Sequence, residues 1–157
     1  FNRNPTITTP GGKNSYTTYE AWRDAYFGNV GRSVNLENNL KDGRFIFYGK
    51  AAGEENGVFI WAIDNKGKFG LASRPTVGYT SLPHPVLAGG NPVFGAGEIT
   101  FKDGMVYAIN AFTGHYYDIA NPEEFTRNAI KAFERYAEIK GLKLHPDFVV
   151  VKKSLVY

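Results

Sequence analysis

Residues 58–72 read VFIWAIDNKGKFGLA, and this stretch decides the fold class. Val58 to Ile63 is apolar at every position of the alternation, which predicts a strand covered on both faces with neighbours at both edges. Asp64-Asn65-Lys66-Gly67 has the residue types of a tight turn, and Lys68 to Ala72 returns as the second arm of a hairpin. Upstream, RFIFY at 44–48 is dense in strand formers. Downstream, Leu82 to Gly97 is rich in Gly and Pro and reads as a loop. It leads into Glu98 to Phe101, an Asp103-Gly104 turn and Met105 to Ala111, which together predict a second hairpin.

One long helix closes the pattern. Asn121 is a suitable N-cap, Pro122 fits the first helical position, Glu124 completes the capping box and Gly141 is a stop, so the helix is predicted over 122–140. Phe125, Ala129, Ala132, Phe133 and Tyr136 recur at helical spacing and form a stripe to be buried on the sheet. Phe148 to Val151 then reads as a buried final strand. Near the beginning, Thr17 with Glu20, the face of Tyr19, Trp22, Ala25 and Tyr26, and the stop at Gly28 predict a short helix from about 18 to 27. Residues 1–15, broken by Pro5, Pro10 and Gly11-Gly12, read as a leader or linker, and 16–157 as one domain. The class is therefore α+β, a mainly antiparallel sheet with a short N-terminal helix and a longer C-terminal helix packed on it.

Composition agrees with such a domain. The chain has 157 residues, 43% hydrophobic and 21% charged, with 12 Phe, 10 Tyr and 2 Trp, far from the signature of disorder. It has no cysteine, which excludes disulfides, thiolate metal sites and a cysteine nucleophile. No run reaches the roughly 20 apolar residues of a membrane span. The net charge of +3 leans mildly toward anionic partners, with solubility the plainer and favoured reading. No HExxH spacing, Walker loop, GxGxxG or GxSxG elbow occurs, so no metal is expected.

The chemistry-bearing residues gather in one region. His84 in LPHPVLAGG, Glu98, and His115 with Tyr116 in FTGHYY surround a Gly-rich stretch. A carboxylate, two imidazoles and a phenol are the groups that metal-independent acid–base work needs near neutral pH. Gly95, Ala96 and Gly97 offer a place for a ligand to approach the backbone. Each residue also has a plainer reading: a solvated or structural histidine, an exposed edge charge at Glu98 beside Lys102, packing at Tyr116. His145, before Pro146, reads as a loop residue outside the site.

Two stretches resemble known families. Phe1-Asn2-Arg3-Asn4-Pro5-Thr6 is similar to the junction where the hypervariable payload begins after the autocleaved cage of insecticidal toxin-complex and Rhs-repeat proteins. The stretch from His84-Pro85-Val86-Leu87-Ala88-Gly89-Gly90 through Ala96-Gly97-Glu98, Asp103-Gly104 and Gly114-His115-Tyr116 resembles a module of polymorphic-toxin C-termini also present in plant IQ-motif calmodulin-binding proteins. That module typically has Ser-Ser after its first His and Ser before Gly-His-Tyr, where this chain has Pro85-Val86 and Thr113. The resemblance implies a secreted effector payload delivered into a target-cell cytoplasm, acting on a protein or RNA there and met by a cognate immunity protein. Absence of cysteine suits a domain that refolds in a reducing compartment.

Payloads of this type are known for ADP-ribosyl transfer. That activity implies NAD as the bound substrate, Arg44 and Ser81 as residues that hold it, and Glu98 as the late carboxylate. NAD hydrolysis by the same groups belongs to this reading; the rivals are a metal-independent ribonuclease using His84 or Glu98 as base and His115 as acid, and a non-catalytic protein-binding module.

Overall fold

The computed structural model describes residues 33–73, 84–89, 91–113 and 122–155, so the 18–27 helix expected from the sequence lies outside the described residues. Nine strands are described: β1 (Ser33–Asn35), β2 (Leu40–Lys41), β3 (Arg44–Phe47), β4 (Lys50–Ala51), β5 (Phe59–Asp64), β6 (Phe69–Ser73), β7 (Val93–Lys102), β8 (Met105–Ile109) and β9 (Leu144–Val150). They are joined by two α-helical elements, a single turn α1 (His84–Leu87) and the long α2 (Pro122–Lys140), and by two short 3-10 turns (Glu37–Asn39 and Glu54–Asn56). The main sheet has six strands in the order β1-β6-β5-β7-β8-β9, and a small sheet has the order β2-β3-β4. The architecture is α+β, but the sheet is mixed, because β8 and β9 run parallel while its other pairs are antiparallel.

Strand β5 is the centre, flanked by β6 and β7 and buried at all six positions. Its turn into β6 is held by Asp64, whose Oδ1 accepts the amides of Lys66 and Lys68, both at 2.9 Å. Register places Phe59, Trp61 and Ile63 opposite Ser73, Leu71 and Phe69 on one side and Ile99, Gly97 and Gly95 on the other. This face receives α2. Trp61 stacks on Phe69 at 5.6 Å, and Phe69 meets Tyr136 at 4.8 Å. Phe125, Ala129, Ala132, Phe133 and Tyr136 are all buried, as the helical stripe requires. Gly141 ends α2 with a positive φ of 67°.

Tyr136 brings a polar atom into this core. Its hydroxyl is buried with no hydrogen-bond partner among the described residues. Burial first, and Glu37 second, push its pKa up to about 12. Glu37 is itself paired with Lys140 at 2.7 Å.

The small sheet clasps the β7–β8 turn. The Phe45 amide donates to the Gly104 carbonyl at 2.9 Å and the Gly104 amide to the Ala52 carbonyl at 2.7 Å. Phe45 packs on Phe101 at 4.9 Å, so the clasp continues the core.

The end of the chain corrects two expectations. The final strand starts at Leu144, so His145 lies in a strand, where its Nδ1 accepts the Asp147 amide at 3.0 Å and its ring meets Tyr107 edge-on at 5.4 Å. This strand is an edge and is mostly exposed: Phe148 is partly buried against the core, whereas Val149 and Val150 are 46% and 39% exposed. Among the described residues it is paired, in parallel, on one side only, which leaves its side chains little cover.

Candidate functional site

The site is built on β7, which begins at Val93 and runs without a break through Gly95, Ala96 and Gly97. Sequence reading made this run a place where a ligand could approach the backbone, and the structure corrects that. A Cβ on Gly95 would lie 2.7 Å from the Ala129 Cα of α2 and 2.9 Å from the Trp61 ring, so this glycine lets the helix settle onto the sheet. A Cβ on Gly97 would collide with the Asn110 carbonyl and stand 2.8 Å from the Ala111 Cα, because the chain leaving β8 crosses over the strand there. The Trp61 indole nitrogen donates to that Asn110 carbonyl at 3.0 Å. Protein, not ligand, fills the space the glycines leave.

Glu98 lies mid-strand and is 4% exposed, not the edge charge its neighbour Lys102 suggests. Register pairs it with Ile60, on the face opposite α2. Its Oε1 accepts three donors: Asn110 Nδ2 at 2.9 Å, Ser154 Oγ at 3.1 Å and the Leu155 amide at 2.8 Å. Asn110 organises this knot. Its Oδ1 accepts the amides of Glu98 at 2.8 Å and Phe112 at 3.1 Å, while its Nδ2 also donates to the Lys153 carbonyl at 2.9 Å. Several donors hold this carboxylate in one orientation inside the fold.

His84 opens α1 and is 6% exposed. Its Nε2 lies 2.9 Å from the Gly97 carbonyl, which can only accept, so Nε2 carries the proton. Leu87 of α1 touches the open side of Gly70, which register aligns through Ala62 with Ala96. α1 therefore covers the same face as Glu98. His84 thus bonds to the backbone of the residue before Glu98 in β7, as the gathering of these residues in the sequence suggested.

The other expected residues divide. His115, Tyr116 and Ser81 lie outside the described residues. Arg44 is not brought to Glu98: its Nη1 pairs with Asp103 Oδ2 at 2.9 Å at the β7–β8 turn. At about 3.3 Å per residue that turn is some 16 Å along β7 from Glu98. Asn110, Ser154 and Leu155 were not singled out by sequence. For Asn110 a signal existed, since a polar residue closes the apolar run of β8 and the hairpin folds it opposite Glu98. Nothing local points to Ser154 or Leu155.

Thr113 is also buried beside this region, and Lys152 and Lys153 are exposed on the segment that crosses Glu98. Among the described residues, no three His, Asp or Glu side chains gather as a metal ion would need. No described helix is long and apolar enough to cross a membrane. Comparison of the chain with protein-family models, with curated proteins and with solved structures finds no match in any of the three.

Proposed function

We propose that this chain is an effector domain that consumes NAD, by ADP-ribosyl transfer to a target or by hydrolysis, with Glu98 as its acting carboxylate. The observation that carries the reading is a buried imidazole of α1, His84, bonded to the Gly97 carbonyl of β7, with the buried carboxylate of Glu98 on the next residue of that strand. Ionisable groups buried together at one point of a domain are costly to keep and mark a functional site more often than a structural one. In a low-dielectric setting the Glu98 carboxylate would stabilise the positive charge that grows at the ribosyl carbon as nicotinamide leaves. Exposed Lys152 and Lys153 suit the pyrophosphate. His115, Tyr116 and Ser81 would complete the pocket; Arg44 has no part in it. In this reading the domain is delivered to a target-cell cytoplasm, where its partners are the modified macromolecule and an immunity protein.

A second reading rests on the same pair. An imidazole and a carboxylate beside two lysines would also cleave RNA, one group taking the 2′-hydroxyl proton and the other protonating the leaving oxygen. Incubation of the full chain with labelled NAD and, separately, with total RNA decides between them. Released nicotinamide that is lost in Glu98→Gln supports NAD chemistry. Cyclic-phosphate RNA ends with intact NAD would replace it by the nuclease, and inertness toward both would leave a binding module.

A further inference from the structure

We propose that residues 151–155, which follow β9, form a displaceable strap that holds Glu98 off its substrate until it lifts; the inference rests on the reading of Glu98 as the acting carboxylate. Two of the three donors to Glu98 Oε1, the Ser154 hydroxyl and the Leu155 amide, belong to this segment. The third, Asn110 Nδ2, spans between that oxygen and the Lys153 carbonyl, so it ties strap and carboxylate together. With three donors on it, Oε1 has no lone-pair direction left for a substrate hydroxyl while the strap lies across it.

The strap is anchored lightly compared with what lies under it. The last ladder bond of the region is Val151 donating to the Ile109 carbonyl at 2.8 Å, and beyond it no regular element is formed through Leu155. Lys152 and Lys153 are exposed and Ser154 and Leu155 only partly buried. Glu98, by contrast, sits in a strand paired on both edges. A half-exposed segment outside the regular ladder opens locally at lower cost than a central strand. Asn110 is thereby a positioning residue: it holds Glu98 in both states and the strap in one.

Native-state hydrogen exchange on the full chain tests the device without reference to activity. The Leu155 amide is expected to exchange by local opening, roughly 10³-fold faster than the Ile99 amide of β7. Exchange of both at the same rate, through global unfolding alone, overturns the strap. The full-length double variant Ser154→Ala with Leu155→Pro removes both strap donors and should raise NAD turnover roughly 10-fold or more by shifting the population to the open state. Turnover in the parent that is unchanged or lower in the variant also overturns the strap. No turnover in either protein sinks the NAD reading instead, and the exchange rates then decide the strap alone.

Discussion

The Asn110 carbonyl stands where a side chain on Gly97 would begin, and Trp61 of the central strand donates to that carbonyl at 3.0 Å. One glycine thus sets the path of the chain out of β8, and that path presents the Asn110 side chain to Glu98. Gly97→Ala should destabilise the domain by about 3 kcal/mol, since the new methyl meets backbone and not the end of a flexible side chain. Urea denaturation measures it. A midpoint equal to the parent's would mean the crossover can step aside at little cost.

Phe133 is fully buried between Trp61, Phe69 and Phe148. Phe133→Ala should cost about 3–5 kcal/mol through lost burial and the cavity left behind. Phe133→Asp, which adds an unpaired charge, should fail to fold. A soluble Asp variant with the parent's melting temperature would contradict the docking of α2.

Glu98→Gln separates chemistry from architecture only in part. Glutamine keeps an acceptor oxygen for Asn110, Ser154 and Leu155 but gives up the charge, so stability should fall by about 1–2 kcal/mol. Turnover should fall about 10²-fold or more, far beyond what that loss of stability explains in a protein still folded at assay temperature. The three bonds to Oε1 make this residue a structural anchor as well as the carboxylate proposed to act. Melting curves and nicotinamide release, measured on the same preparation, test both halves.

Tyr136 gives the fold a sensitivity to alkali. Its phenol, raised to about 12 by burial and then by Glu37, is neutral in both folded and unfolded chains below pH 10. Between about pH 10 and 12 the unfolded chain ionises there and the folded one does not, so stability falls, by about 2–3 kcal/mol at the upper end. Tyr136→Phe should remove this part of the alkaline decline. At neutral pH it should be neutral or stabilising by up to about 1 kcal/mol, because the hydroxyl it deletes is buried without a partner among the described residues. Equal alkaline slopes in parent and variant would refute the assignment.

What could be read from the sequence was punctuation carried by neighbours. Helix α2 was legible because Pro122, Glu124 and Gly141 act within one turn of its ends, and the β5–β6 hairpin because Asp64 closes its own turn. Strand β7 was legible only from Glu98 onward. Gly95 and Gly97 look like loop residues until one knows that Ala129 and Asn110 press on them, and those contacts come from elements far along the chain. The run Phe148 to Val151 looked buried because it is apolar, yet burial depends on a second neighbour that β9 lacks among the described residues. For the site, His84 and Glu98 were visible as residue types, but the donors that define the state of Glu98 lie 56 and 57 positions away.

The parallel seam between β8 and β9 also orders events in time. The Val106 amide finds its acceptor at the Lys143 carbonyl, and Ile109 offers its own carbonyl to Val151, so the outer edge of β8 is satisfied only after α2 has been traversed. At roughly 5–20 residues per second, a chain emerging from the ribosome would carry that edge bare for on the order of seconds. An uncovered strand beside a finished antiparallel core is a template for pairing with a neighbouring nascent chain. The yield of native protein is then decided in that interval, and slower initiation, lower temperature or a chaperone bound to β8 should each raise it.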